Sequence, residues 1–260
     1  MSSSSPLGAR AFQRLEALRL FTDDAGKITR LYLSPAHIRS IAFIADEMRK
    51  AGCDHVDIDA LGTVTGRYEG RVKNQPALLI GSHIDTVVDG GAYDGALGVI
   101  AGIGIIEALH QRGERLDFAL EVLAFGDEEN VRFPANLTSS RALAGTLDER
   151  ALDARDQNGI SIREALHQNG FHLNDLKTLK RDPHTVIGYV EVHIEQGPVL
   201  EAEQCPVGVV TAINGATRWA LTVRGEPGHA GTVPMPLRRD ALTAAAEMAL
   251  AIERIGRMYD

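Results

Sequence analysis

The sequence predicts an α/β fold, a mostly parallel central sheet flanked by helices, followed by the start of a smaller α+β unit. Three observations predict it. Apolar strand-like runs alternate with helical stretches, the pattern of strand-crossover-strand units. Three of those runs end in His and carboxylate residues, and ligands collect beyond the carboxyl ends of strands in such a sheet. A chain of 260 residues with 44% hydrophobic residues can also bury a sizeable core.

The elements follow in chain order. "SPAHIRSIAFIADEMRKAG" carries an N-cap candidate in Ser34, proline at the first helical position, apolar residues at helical spacing and a closing Gly52, which predicts a helix. "HVDIDALGTVTGRYEG" alternates and contains turn glycines, which predicts a hairpin, and "PALLIGSH" reads as a short buried strand. A helix is expected from about Gly95 to Arg112, its glycines serving close packing against the sheet. "FALEVLAFGDEEN" is another apolar strand running into acids, and after a helical middle section "VIGYVEVHIEQG" repeats the arrangement. Near the end, "TRWALTVRGEPGHAGTVPM" and "RRDALTAAAEMALAIERIG" read as one strand and one helix.

Composition narrows the function. The net charge of -8, with no long basic run, argues against nucleic acid or an anionic membrane as partner and leaves a small molecule. The longest apolar stretch, "GALGVIAGIGIIEAL", is too short to span a bilayer, and "MSSSSPLGAR" lacks the layout of a signal peptide. Cys53 and Cys205 show no CxxC spacing, so neither a disulfide framework nor a thiolate zinc site is indicated, which fits the cytoplasm.

The chemistry concentrates at three strand ends. His83 and Asp85 follow the first strand, Glu128 and Glu129 the second, and His193 with Glu195 the third. Histidine and carboxylate without cysteine suit a catalytic zinc, or manganese or cobalt in its place. Two cations bridged by one carboxylate would use the many acids of "GSHIDTVVDGGAYDG". Weighed against this, Asp89 is a turn former, His110, His167 and His184 are surface residues, and paired acids such as Glu128 and Glu129 also favour helix starts.

"GSHIDTVVDGGAYDGALGV", "AFGDEENVRFP", "YVEVHIEQGPVLE" and "VRGEPGHAGTVPM" together resemble the hydantoinase/carbamoylase family of dinuclear metal amidohydrolases, relatives of the di-zinc exopeptidases. The resemblance covers nearly the whole chain after about Ala11. It implies His83 and His193 as ligands of a first cation, Asp94 as the bridging ligand and Glu129 as a ligand of a second cation. It also implies Asp85 as the carboxylate that orients His83, and Glu128 as the general base. Gln196 matches a substrate-contacting position, and His229 a lid-domain histidine that reaches a neighbouring subunit's site and stabilises an oxyanion. Asn130 stands where the family pattern has glycine, and a cis peptide is expected after Asp94 by analogy with the di-zinc peptidases.

The activity so implied is hydrolysis of a ureido C–N bond with two Zn2+ or Mn2+ ions per subunit. Allantoate is the first candidate substrate; N-carbamoyl-L-amino acids and β-ureidopropionate are alternatives. Residues 1–210 would form the catalytic metal-binding domain, part of it absent from this chain, and 211–260 the first portion of a lid through which a homodimer forms. The family's second-cation histidine and the lid asparagine and arginine that grip substrate have no counterpart after His229. The chain is accordingly expected to be part of a longer enzyme or, as a reading of another class, a non-catalytic metal-binding remnant.

Overall fold

A computed structural model describes residues 6–135, 137–173 and 176–259. The chain divides into two compact units, the first ending at Pro198 and the second beginning at Val199.

The first unit opens with helix α1 (Pro6–Leu18), which the sequence reading did not anticipate, and continues with α2 (Pro35–Lys50). Ser34 caps α2 by accepting from the His37 amide at 3.3 Å, and Pro35 occupies the first turn, where its missing N–H costs nothing. Strands β1 (His55–Ile58) and β2 (Val64–Tyr68) form the expected antiparallel hairpin. Then come β3 (Ala77–His83), α3 (Ala96–Gln111), β4 (Ala119–Phe125), α4 (Thr138–Ala144), α5 (Ile162–Gln168) and β5 (Val186–Val190).

The sheet is mixed, with five strands in the order β1-β2-β4-β3-β5. Its parallel part is β4, β3 and β5, the three apolar runs that end in candidate ligands; the antiparallel part is the hairpin, which joins through β2 to β4. All seven residues of β4 are buried, which explains an uninterrupted apolar run with one charged exception. That exception, Glu121, is held by Arg67 at 2.8 Å and Arg181 at 2.5 Å.

Helix α3 lies close against the sheet because its glycines allow it. A methyl group at Gly102 would sit 3.0 Å from Val122 Cγ2 and 3.1 Å from Ile80 Cγ2, so Ile100, Ile103 and Ile106 settle into one core with α2 and the strands. Arg14 of α1 bridges Glu47 of α2 and Glu107 of α3, each at 2.8 Å. No helix among the described residues is long and apolar enough to cross a membrane.

A buried arginine ties this scaffold to the end of β3. Arg30 donates through Nε to the Ile84 carbonyl at 2.6 Å and through Nη1 to the carbonyls of Leu18 and Phe21 at 3.1 and 3.0 Å. Its main chain exchanges bonds with Thr86, amide to Oγ1 at 2.9 Å and carbonyl to amide at 3.0 Å. Burial pushes the guanidinium down to about 10, against the pull of Asp85 and Asp23, yet it stays charged at neutral pH.

The second unit contains α6 (Val199–Ala202) and α7 (Ala241–Gly256), with Asp240 capping α7 by accepting from the Leu242 amide at 2.8 Å. The strand expected around Trp219 is corrected: no strand is assigned among the described residues of this unit, only an isolated bridge between Glu226 and Arg239. A strand needs a neighbour to complete its ladder. Here Trp219 and Leu221 meet none and remain 81% and 63% exposed.

Replacing Arg30 by methionine should lower unfolding free energy by about 2–3 kcal/mol, because the buried Ile84 and Phe21 carbonyls lose a charged donor. Urea titration checks this; an unchanged midpoint would show that Arg30 does not hold the turn after β3.

Candidate metal centre

The site forms where the parallel strands end. His83 is the last residue of β3 and is 2% exposed, and its Nδ1 lies 3.0 Å from the Asp85 carbonyl oxygen. A carbonyl only accepts, so Nδ1 keeps its proton and Nε2 is the nitrogen that faces the site and would give up its proton to a cation. His193, in the loop beyond β5, repeats the arrangement with Nδ1 at 2.9 Å from the Ile194 carbonyl. Both Nε2 atoms face the same oxygen: Asp94 Oδ1 is 3.6 Å from that of His83 and 3.2 Å from that of His193. The two rings stack with centroids 5.8 Å apart. The other Asp94 oxygen accepts from the Gln196 amide at 2.8 Å.

Asp94 reaches this position through the turn that starts α3. Gly95 has φ +64°, and a Cβ there would lie 2.5 Å from the His83 ring, so glycine is required both for its conformation and for its lack of a side chain. The expectation of a cis bond after Asp94 is corrected, since no peptide bond among the described residues is cis; Gly95, at positive φ, turns the backbone instead.

The acidic pair follows β4. Glu128 and Glu129 donate their main-chain amides to the two oxygens of buried Asp85, at 3.2 and 3.1 Å. Glu128 Oε2 lies 3.9 Å from His83 Nε2 with its side chain 47% exposed, at the rim of the site. Asn130 adopts φ +55°, a left-handed conformation that asparagine tolerates, which accounts for asparagine where the family pattern has glycine.

Two donor sets share His83. His83, Asp94 and His193 present one atom each, all within 4.8 Å of one another, and His83, Glu128 and Glu129 do the same. Glu129 therefore shares a donor set with His83 and Glu128. Two imidazole nitrogens aimed at a carboxylate oxygen, with no thiolate, suit a divalent cation of the zinc or manganese kind. The electrostatics agree. Burial disfavours a charged His83, but the hydrogen bond and charge of Asp85, with Glu128, outweigh it and raise the imidazole to about 9. Burial, with Asp94, Asp85 and Glu128 around it, raises Glu129 despite the pull of His83. Asp85 is lowered, because its bonds to His83 and the Glu129 amide outweigh burial. A pocket this negative favours a cation.

A supporting layer behind the pair was not legible in the sequence. Asp127 has φ +63° and is buried, its carboxylate accepting from Thr138 Oγ1, while Ser139 Oγ donates to the Gly126 carbonyl. Burial, with the charge of Asp85, pushes Asp127 up to about 7 against that hydrogen bond. A Cβ at Gly126 would come within 2.8 Å of Tyr32 and His37. The paired hydroxyls at the start of α4 are the one available signal, and nothing in their spacing points to β4.

Beside His83 and Glu128 a cavity of about 720 Å³ opens, walled by Phe125, Leu143, Val186 and Tyr189 among others. His229 belongs to the second unit, where it is exposed and its Nδ1 accepts from the Gly231 amide at 3.1 Å.

The family model for peptidase family M20/M25/M40 matches residues 79–257, which include every candidate ligand. The chain belongs to the M20 family. Within it, the chain is 46% identical over 249 residues to allantoate deiminase of Arabidopsis thaliana, covering 94% of this chain and 47% of that protein. It is 45% identical to allantoate deiminase 1 of Glycine max over 94% of this chain and 51% of the relative. Against N-carbamoyl-L-amino acid amidohydrolase of Geobacillus stearothermophilus identity is 43%, with 96% and 61% covered. Among solved structures, a hydantoinase/carbamoylase family amidase from Burkholderia ambifaria superposes with a TM-score of 0.78 at 34% identity, over 95% of this chain and 59% of that one. The chain thus spans about half the length of these plant relatives.

Gly95→Ala should weaken binding of a divalent cation on the order of tenfold or more, since the new methyl group displaces the His83 ring. Titration calorimetry with Zn2+ measures it, and affinity equal to that of the unaltered chain would remove His83 from the site.

Proposed function

We propose that this chain carries the metal-holding part of an amidohydrolase that cleaves the ureido C–N bond of allantoate, releasing ammonia and carbon dioxide. The observation that carries the reading is the pair of histidine Nε2 atoms aimed at one oxygen of Asp94, with the Glu128 carboxylate at the rim. The allantoate deiminases at 45–46% identity support the substrate class.

His83, Asp94 and His193 would hold one cation, and Glu129, with the shared acids, a second; zinc or manganese suits these donors. A bound divalent cation supplies Lewis acidity, which polarises a carbonyl and acidifies water. The chain's own residues do the rest. Glu128 takes a proton from the attacking water on its carboxylate and delivers it to the departing nitrogen, so that C–O bond formation and C–N cleavage balance. Asp85 keeps His83 in the Nδ1-protonated tautomer and pins the two amides that aim Glu128. Gln196 holds the outer oxygen of Asp94, leaving the inner one for the site, and we assign it contact with substrate as well. His229 we assign to oxyanion stabilisation in a partner subunit's site.

Residues 1–210 serve in this reading as the catalytic domain and 211–260 as part of a dimerising lid. The uncovered apolar residues of α7, among them Leu242, Leu250, Ile252 and Ile255, support a homodimer through this segment. The unpaired Cys53 and Cys205 are consistent with a cytoplasmic enzyme.

An ammonia-release assay on the full-length protein, against allantoate and a panel of N-carbamoyl-L-amino acids with Zn2+ or Mn2+ added, tests the activity. Allantoate is expected to be turned over fastest, and ammonia from none of these compounds would overturn the reading. In the active protein Glu128→Gln should reduce turnover by a factor on the order of 10²–10⁴ while bound metal, measured by mass spectrometry, stays the same. Retained activity would mean that another group moves the proton.

A further inference from the structure

His83 ends β3 whereas His193 lies in the loop beyond β5, and a cation site works only if the distance between them is held. The ladder between β3 and β5 cannot set that distance alone, because its last pairing is Ile80 with Val190 and the residues leading to His193 lie beyond it. At this junction Ser82, buried at 1% exposure and adjacent to His83 in the chain, donates its Oγ proton to Glu191 Oε1 at 2.6 Å. The other oxygen of Glu191 accepts from the Tyr189 hydroxyl at 3.3 Å, so both are engaged. Glu191 stands two residues before His193, as Ser82 stands one before His83. Helix α3 closes the third side: a Cβ at Gly98 would meet the Val192 carbonyl oxygen and lie 2.8 Å from Ser82 Cβ, so only glycine lets the loop approach this closely.

We propose that Ser82 and Glu191 are positioning residues, a hydrogen-bonded clamp that fixes the His193 loop against the end of β3 and thereby sets the spacing of the two imidazoles. Neither side chain is among the candidate ligands, and neither takes part in the proton transfer assigned to Glu128. The inference rests on the reading of His83, Asp94 and His193 as a cation site. Partners one step removed from ligands, when lost, typically cost 10–100-fold in metal affinity.

The test compares Zn2+ affinity, by competition with a chelator, in the unaltered chain and in the S82A, E191A, E191Q and S82A/E191A variants, with circular dichroism confirming that each is folded. Glu191 is exposed, so E191A is the variant least prone to misfold. S82A and E191A should each weaken binding on the order of tenfold. E191Q, whose amide oxygen still accepts from Ser82, should stay near the unaltered value, which a mere loss of charge near the site would not allow. The double variant should be no weaker than E191A alone, because both substitutions remove the same contact. Unchanged affinity in E191A, or additive losses in the double variant, would overturn the clamp. A crystal structure of E191A gives a readout independent of metal. His193 Nε2 is expected to leave its position 3.2 Å from Asp94, and an unmoved His193 would refute the proposal. If the unaltered chain binds no Zn2+, the proposed function fails while this structural comparison still decides the clamp.

Discussion

Asp85 is the interaction on which the rest of the site depends. It is a fully desolvated carboxylate whose two oxygens accept the main-chain amides of Glu128 and Glu129, while its own carbonyl fixes the His83 tautomer. One residue therefore joins the end of β3 to the end of β4. Burying such a charge is unfavourable unless it is met by donors and opposite charge. The donors are two amides, and the opposite charge comes from His83 with Arg30 at longer range. A cation brought to His83, Asp94 and His193 would relieve the same excess of negative potential that raises His83, so the electrostatic cost of the fold and its affinity for metal have one origin.

The strand ends were legible because two sequence patterns coincide there. An apolar run buried on both faces must stop where polar ligands begin, and β3 and β4 stop at His83 and just before Glu128. The hairpin, α2 and α3 were equally legible, from alternation, from a Ser-Pro cap and from helical length. What escaped the sequence depends on contacts across many residues. Arg30 is 54 positions from the Ile84 carbonyl it holds, and Ser82 is 109 positions from Glu191. Neither pair has a spacing that a periodic pattern could reveal. The strand around Trp219 was misjudged for a related reason: alternation marks a segment able to pair, and pairing is settled by a neighbour. Helix α1 was overlooked, and its partners Glu47 and Glu107 lie on helices read correctly.

Membership of the M20 family and a common fold with amidases of known structure account for the scaffold, whereas the substrate is a matter of groups placed around the site. The first unit by itself supplies the two imidazoles, the Asp94 carboxylate between them, the acidic pair and the supports behind them. That division of labour explains how residues matching only about half the length of the plant deiminases can hold every candidate ligand within 79–257. The second unit carries an exposed histidine and, in α7, a helix with apolar residues and none of them buried.

Whether the two imidazoles and Asp94 hold a cation can be read from crystals soaked in Zn2+ and measured at the zinc absorption edge. An anomalous peak is expected among His83 Nε2, His193 Nε2 and Asp94 Oδ1, about 2.0–2.1 Å from each nitrogen. A peak held by other residues, or none at this position under saturating zinc, would contradict it.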